Sequence, residues 1–517
     1  MDLLYNLFTI LLGLVLILYA YFKYAYTYFE KRHIPFIEPT FPFGNFSSLA
    51  FRTKSFADVM KYLYDQMPDY PAFGVFLLAQ PTVMLRDPEI IKQVLVKEFA
   101  SFHDRTPPIN EEITPIFGHL FFLAGKKWRN LRAKLSPTFT SGKMKIMFST
   151  ISSRTKNFVD YLQANDTTNV DVEDSWTRLT TDIIASCAFG IECDSLKHPE
   201  NEFRQMGIRS SHSPLRLTLG MMLINGGEYM RRLVRWTLID SDISDYFINM
   251  VKDTMAFREK NNIKKNDFMQ SLIDLKNNRK IDYDGEEGED KDAFFDHDDG
   301  KSLTEVQCAA QAFVFFLGGF GTSSSTLTFG ILEMAMNPDI QKRLQNEIDE
   351  VVQEYGGITY ESINKMTYLD QVLKEILRKY PPLPWLNRMV TKPIDIKWDD
   401  KGTTVHFEKD LKIMIPIYAI HHDPKNFPNP GCFDPDRFSE ENKNSFHHYA
   451  YIPFGEGPHI CIGSRFGLLQ TKVALAMILQ CFNIEMNENT LTNQVLDPKK
   501  PVLGFKEKVY VTYSKRS

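Results

Sequence analysis

A glycine-rich stretch near the end of the chain carries the residue best suited to metal chemistry. It reads Pro453-Phe454-Gly455-Glu456-Gly457-Pro458-His459-Ile460-Cys461-Ile462-Gly463. Because three glycines and two prolines disfavour a regular helix or strand, we expect a tight loop. Cys461 comes just before an apolar pattern of helical period, and a helix N-terminus favours the thiolate form of cysteine. A thiolate on such a loop is a soft metal ligand; a buried structural cysteine is the alternative.

Two predicted helices place further polar groups about one turn apart. Trp128 and Arg132 share a face of a basic amphipathic helix over 125–145, and Glu375 and Arg378 share one over 368–380. Each pair has an ordinary alternative. A basic helix face is usually solvated surface, and a single Glu–Arg pair is usually an exposed ion pair of small worth.

A long apolar helix predicted over 304–336 contains one unusual cluster, Gly318-Gly319-Phe320-Gly321-Thr322. Glycine inside a helix costs about 1 kcal/mol relative to alanine, so three of them need an explanation. One explanation is the close approach of a neighbouring helix. The other is a locally widened helix where a ligand or water reaches the backbone.

Taken together, these motifs resemble the cytochrome P-450 superfamily in their order and wide separation. Phe454, Gly457, Cys461 and Gly463 match the loop that binds haem b in that family, where the cysteine thiolate is the axial ligand of the iron. The resemblance implies a mainly α fold with a small β region, built as one large catalytic domain. His459 stands where the family usually has an arginine that pairs with a haem propionate. Such a partner should raise the pKa of this histidine.

The resemblance also assigns roles to the remaining groups. It implies that Thr322 feeds protons to bound dioxygen, with Gly319 and Gly321 in the same motif, and Gly321 replaces the family's usual acid. The resemblance assigns haem-propionate contacts to Trp128, Arg132 and Arg388. It also implies a buried network that braces the haem loop, formed by Glu375, Arg378 and Arg437.

The first residues of the chain predict a membrane anchor. Leu3 to Phe22 carries no charge, and about 20 helical residues span the hydrocarbon core of a bilayer. Basic residues follow this run, so the rest of the chain should lie on the cytoplasmic side. A cleaved signal peptide is the alternative, although the run is long and lacks a basic start. We expect an anchor at 1–24 in the endoplasmic reticulum membrane, a proline-rich hinge at 25–45 and a catalytic domain at 46–517.

The length and composition of the chain allow a large hydrophobic core. The chain has 517 residues, 43% of them hydrophobic, and a net charge of −5, which gives no general affinity for nucleic acid. Its six cysteines show neither paired metal spacing nor a disulfide framework, as in a reducing compartment. Local patterns predict hairpins over 70–86, 394–420 and 502–513 and a disordered acidic loop over 276–301. By its position in the family that the chain resembles, the apolar segment over 214–235 is expected to be a membrane-dipping lid over the pocket, and core packing is the alternative.

The function implied by the resemblance is monooxygenation of a small apolar substrate, either a xenobiotic or a lipid-like compound. NADPH electrons would arrive through a reductase, with a cytochrome b-type protein as a second donor. Phe-Phe-Leu-Gly-Gly-Phe at 315–320 looks most like insect microsomal detoxification members. Two alternatives stay open. A haem-thiolate isomerase or dehydratase needs no reductase and is favoured by Gly321, and a non-catalytic carrier would bind haem or ligand without turnover.

Overall fold

One long helix runs through the centre of the protein, as the apolar pattern over 304–336 predicted. The computed structural model describes residues 2–105, 109–211, 215–225, 227–279, 300–398 and 403–516. The central helix spans Glu305–Met336 and begins at a capping box, in which the side chains of Thr304 and Gln307 each accept a hydrogen bond from the other's backbone N–H. Most of its side chains are buried in the larger hydrophobic core.

The described chain is mainly helical, which confirms the predicted fold class. In chain order the helices are α1 Asp2–Tyr26, α2 Ser47–Ala50, α3 Phe56–Asp65, α4 Pro88–Lys92, α5 Gly125–Leu135, α6 Ser141–Ala164, α7 Val172–Ile184, α8 Glu202–Ser211, α9 Leu215–Asn225, α10 Glu228–Arg231, α11 Ser241–Lys260, α12 Phe268–Lys276, α13 Glu305–Met336, α14 Pro338–Tyr355, α15 Tyr360–Ile363, α16 Thr367–Lys379, α17 Ile417–His421 and α18 Ser464–Cys481.

In the described part of the chain, the β region consists of three small sheets. Its strands are β1 Ala72–Leu77, β2 Gln80–Leu85, β3 Val170–Asp171, β4 Leu386–Met389, β5 Ile394–Lys397, β6 Thr404–Phe407, β7 Lys412–Ile415, β8 Phe482–Glu485 and β9 Tyr510–Lys515. The largest sheet has the order β1-β2-β7-β4, in which only the β2–β7 pair is parallel. A second hydrophobic core packs on this sheet, apart from the core around α13.

Several local predictions are confirmed and others are wrong. The hairpin over 70–86 forms as β1 and β2, and Asp87 caps α4 by accepting the backbone N–H of Glu89 at 2.8 Å. The single helix predicted over 125–145 is instead α5 and α6, because Pro137 lies in the turn between them. Within 394–420, β5 and β6 form a hairpin, but β7 joins the large sheet. The hairpin over 502–513 is wrong, since β9 pairs with β8.

Two predictions fall partly on residues outside the described part of the chain. For the acidic loop over 276–301, residues 280–299 lie outside it, and for the lid over 214–235, Pro214 and Gly226 lie outside it. The remainder of the lid segment forms α9 and α10.

Two described helices, α1 and α13, are long and apolar enough to cross a membrane. The apolar stretch of α13 is mostly buried, as expected of a core helix, whereas that of α1 is exposed. Only the C-terminal end of α1 packs on the rest of the protein, where Phe22 contacts a small cluster with Leu78 and Met222. The exposed apolar length of α1 is the feature expected of a membrane anchor.

Candidate functional site

The loop around Cys461 is held by its own backbone. The Cys461 N–H donates to the carbonyl of Phe454 at 2.9 Å, and α18 begins directly after Gly463. Gly457 has φ +71°, and a Cβ there would lie 2.1 Å from the carbonyl oxygen of Leu95. Only glycine therefore fits this close approach of two backbones. The predicted tight loop before a helix is confirmed.

The Cys461 side chain faces an internal space. It has accessible surface, yet it lies deep within the protein, and this burial raises the pKa of its thiol. The backbone N–H of Gly463 and the charges of Arg132 and Arg105 act in the opposite direction. By comparison, burial raises the pKa of Cys187 and of Cys308 to about 12, with no hydrogen bond from a helix-capping residue. The groups that oppose the effect of burial at Cys461 are thus those that would stabilise its thiolate if a cation bound there.

Buried arginines lie beside this loop. Arg388 is buried, and its Nη1 donates to the carbonyl of Asn387 at 2.8 Å, while Arg105 Nη2 donates to the carbonyl of His459 at 2.9 Å. The Nε atoms of Arg105 and Arg388 are buried and have no hydrogen-bond partner, and within the described residues neither guanidinium pairs with a carboxylate. Burial and arginine–arginine repulsion lower the pKa of Arg105 to about 10.

This arrangement fits an iron porphyrin that bears carboxylates. Within the described residues no three His, Cys, Asp or Glu side chains are grouped to hold a metal ion, so a metal at Cys461 must bring its other ligands with it. A porphyrin does so through its four nitrogens, and its propionates supply the negative charge that the buried arginines require. The donor set and the unpaired guanidinium atoms therefore both suit haem.

The sequence analysis did not identify Arg105, and it did identify Arg132 and Arg388, which the structure places near this loop. Both Arg105 and Arg132 act electrostatically on Cys461, and Arg388 acts on Arg105. The available signal was weak: Arg105 is the one arginine in an irregular loop over 99–118 that has no helical or strand period.

Trp128 and His459 stack closely, with ring centroids 3.8 Å apart. His459 is buried, and its Nε2–H donates to the carbonyl of His103 at 2.6 Å. Burial and the neighbouring charges of Arg105 and Arg388 lower the pKa of His459 well below its usual value. The expected raised pKa is therefore wrong for the protein surroundings of this ring, which favour a neutral imidazole that packs on Trp128.

The glycine cluster of α13 divides between two faces. Gly318 and Gly321 are open: a Cβ on Gly318 would meet no atom within 4 Å, and one on Gly321 would meet only Val502 Cγ2, at 3.8 Å. Thr322 shares that face by helical spacing, and its Oγ1 donates to the carbonyl of Gly318 at 2.5 Å. The helix stays α-helical throughout, so the predicted widening is not observed.

Gly319 lies on the other face, which corrects its predicted place among the catalytic residues. A Cβ there would lie 2.6 Å from Ile184 Cδ1, and its carbonyl accepts a hydrogen bond from Gln470 Nε2 at 3.2 Å. Gly319 is thus a packing position that lets α7 approach α13. Gln470 belongs to α18, so the same contact ties the helix behind Cys461 to α13.

Glu375, Arg378 and Arg437 come together in a buried network. Arg378 donates to both oxygens of Glu375, at 2.7 and 2.8 Å, and both side chains are fully buried. Arg437 Nε lies 3.4 Å from Glu375 Oε1, which also accepts the backbone N–H of Asp434 at 3.0 Å. One buried carboxylate therefore faces two guanidinium groups, and Arg378 is hydrogen-bonded to both of its oxygens.

A histidine that the sequence analysis did not identify joins this network to the Cys461 loop. Arg378 Nη1 donates to the carbonyl of His421 at 3.0 Å, and His421 Nδ1–H donates to the carbonyl of Arg378 at 3.0 Å. The backbone N–H of Ile452 donates to His421 Nε2 at 3.2 Å, one residue before Pro453 begins the loop. Burial and Arg378 lower the pKa of His421, which keeps the ring neutral for both bonds.

Comparison with known proteins identifies relatives along almost the whole chain. The family described as cytochrome P-450 matches residues 35–511. The chain is 38% identical over 506 residues to cytochrome P-450 6a9 from Drosophila melanogaster, covering 96% of this chain and 97% of that protein. It is 36% identical over 509 residues to cytochrome P-450 6k1 from Blattella germanica, covering 98% and 96%. It is 39% identical over 500 residues to cytochrome P-450 9e2 from Blattella germanica, covering 92% of each.

Proposed function

This chain belongs to the cytochrome P-450 family of monooxygenase oxidoreductases, and we propose that it oxygenates small apolar molecules at the endoplasmic reticulum membrane. The observation that carries this proposal is the Cys461 thiol on its glycine loop, beside Arg105 and Arg388, which have no carboxylate partner among the described residues. The substrate class is a xenobiotic or an endogenous lipid-like compound. Electrons come from NADPH through a reductase.

The residues near Cys461 would hold and orient the haem. When bound, the haem supplies dioxygen activation and accepts electrons one at a time. Cys461 Sγ would bind the haem iron as a thiolate, and the N–H of Gly463 would stabilise its negative charge. Arg105 and Arg388, with Arg132, would bind the propionates, and Phe454 and Trp128 would pack at the loop. The network of Glu375, Arg378 and Arg437 keeps the loop in place through His421.

Proton delivery would fall to Thr322 and water. The Oγ1 hydrogen of Thr322 is held by the carbonyl of Gly318 at 2.5 Å, so the hydroxyl must turn away from that carbonyl to donate elsewhere. Because Gly318 and Gly321 have no side chain, their face of α13 leaves room for a water molecule that would donate a proton in place of the hydroxyl. Gly321 offers no carboxylate, and we therefore expect part of the reducing power to be lost as peroxide.

This role is tested by the amount of product formed per NADPH in protein reconstituted with reductase. Thr322→Ala should lower that ratio and raise peroxide. Thr326→Ala is the matched control, because Thr326 Oγ1 makes the same bond to the preceding turn at 2.9 Å but is buried. An unchanged ratio in Thr322→Ala would contradict the assignment.

The second candidate function is a haem-thiolate isomerase or dehydratase. It is favoured by the missing acid at Gly321 and by the Thr322 hydroxyl that is bonded within its own helix. Product formation without reductase or NADPH would support it over the monooxygenase.

Membrane attachment is proposed through α1, whose apolar side chains are exposed along its length. Lys23 and the basic residues after it favour a cytoplasmic catalytic domain. Sealed microsomes treated with protease give the test. The catalytic domain should be digested from outside, and its protection would contradict this topology.

A further inference from the structure

A cavity lies between the loop around residue 113 and the segment after α9. Its volume is about 610 Å³, and none of the residues assigned to haem line it. Apolar side chains form much of its wall, namely Ile109, Ile113, Ile224 and Val234. Arginines also line it: Arg231, Arg232 and Arg235. The cavity is thus apolar along one part and cationic along another.

The cationic part has little counter-charge among the described residues. Arg232 pairs with Glu228 at 2.5 Å, whereas neither Arg231 nor Arg235 has a carboxylate partner in the described chain. Of the three acids next to the lining in sequence, two are already paired and the third is exposed to solvent. Glu111 pairs with Lys127 at 2.8 Å, Asp240 pairs with Arg216 and Arg209, and Glu112 is exposed to solvent.

A buried lysine contacts the residue that follows the cavity wall in sequence. Lys412 Nζ donates to the carbonyl oxygen and to Oδ1 of Asn225, at 2.6 and 2.9 Å, and no carboxylate reaches it within the described residues. Asn225 directly follows Ile224 of the cavity wall. Burial, and repulsion from Arg231, lower the pKa of Lys412 to about 7. A negative group in the cavity would relieve this repulsion.

The cavity also lies on the side of the protein where α1 attaches. Met222 of α9 packs with Phe22 of α1 and with Leu78 in one small apolar cluster. Large apolar side chains near the cavity are exposed, including Leu219, Leu233 and Trp236. Exposed apolar and basic residues together are typical of a surface that meets the headgroup region of a membrane.

We propose that this cavity binds one anionic phospholipid drawn from the membrane. Its phosphate pairs with Arg231 and Arg235, and an acyl chain lies along the wall formed by Ile113, Ile224 and Val234. Charge selects the headgroup, and the apolar wall selects a lipid over a free anion. The inference rests on the membrane attachment proposed above, but it requires no particular reaction at Cys461.

The test counts lipids bound to full-length, haem-loaded protein in non-ionic detergent by native mass spectrometry. Dioleoyl phosphatidylserine and dioleoyl phosphatidylcholine are the probes, each added alone. We expect one retained phosphatidylserine per chain and far less phosphatidylcholine. Arg231→Gln with Arg235→Gln should weaken retention about 30-fold, from about 1 kcal/mol for each basic residue near an anionic lipid surface.

Control variants distinguish the loss of this binding site from a general loss of positive charge and from misfolding. Lys156→Gln with Lys260→Gln removes the same charge from exposed positions outside the cavity and should leave retention unchanged. Val234→Asp should weaken retention by placing a carboxylate in the apolar wall. All variants should keep the haem spectrum, so failure here is distinguishable from failure of the proposed reaction. Equal retention of both lipids, unchanged retention in the arginine variant, or displacement by equimolar inorganic phosphate would overturn the proposal.

Discussion

Two neighbouring glycines of α13 should respond in opposite ways to the same substitution. Alanine gains about 1 kcal/mol over glycine in a helix interior. At Gly321 the new Cβ would meet only Val502 Cγ2, at 3.8 Å, so Gly321→Ala should stabilise the fold by about that amount. At Gly319 the new Cβ would lie 2.6 Å from Ile184 Cδ1 and 3.1 Å from its Cγ1. Overpacking costs about 1–3 kcal/mol, which offsets or exceeds the gain.

The free energy of unfolding in urea, followed by helical circular dichroism, should therefore be about 1–3 kcal/mol higher for Gly321→Ala than for Gly319→Ala. Ile184→Val supplies the control because it removes the atom nearest the new Cβ. Alone it should destabilise by about 0.5–1.5 kcal/mol, but in the Gly319→Ala background it should be neutral or stabilising. Equal stability of the two alanine variants, or additive effects of Ile184→Val, would refute the division of the cluster between two faces.

Three other perturbations have defined outcomes. Arg388→Ala should speed haem transfer to an acceptor protein about 10- to 100-fold, because a charged hydrogen bond is worth about 1.5–3 kcal/mol, while exposed Lys392→Ala should not. Glu375→Gln should lower the free energy of unfolding by about 3–5 kcal/mol, since it leaves Arg378 buried and unbalanced; Glu361→Gln, in an exposed pair, should change little. Burial lowers the pKa of His422 in the folded protein to about 3, whereas in the unfolded chain it is about 6.5. As the pH falls between these two values, only the unfolded chain binds a proton at this residue, so the free energy of unfolding declines. His422→Gln should flatten that decline in acid unfolding curves; identical curves would contradict it.

Local and strongly periodic features could be predicted from the sequence alone. The central helix, the hairpin of β1 and β2 and the cap at Asp87 depend on residues close together in the chain. The resemblance brought Glu375, Arg378 and Arg437 to one place, although no local pattern links Arg437 to the other two. The order of the motifs along the chain could predict this contact because proteins with the same motif order share a fold.

What could not be predicted depends on contacts between distant segments. Ile184, which is distant in sequence, packs against Gly319 and so distinguishes the two faces of α13. Strand β7 pairs with β2, which is also distant in sequence. His459 looked like a cation beside an anion, but burial and three arginines decide its charge. His421 joins the network through its ring and its backbone. No sequence pattern around this histidine predicts these contacts with distant segments.

The central claim is that Cys461 is the axial thiolate ligand of a haem. It is tested most directly by the absorption spectrum of the reduced carbon monoxide complex in Cys461→Ser and Cys432→Ser variants of the full-length protein. Both cysteines have accessible surface. Of the two, only Cys461 lies on the glycine loop, where its sulfur accepts a hydrogen bond from the backbone N–H of Gly463. The account predicts that Cys461→Ser loses the red-shifted band of a thiolate-ligated complex, while Cys432→Ser retains it. A red-shifted band that persists in Cys461→Ser would contradict the assignment.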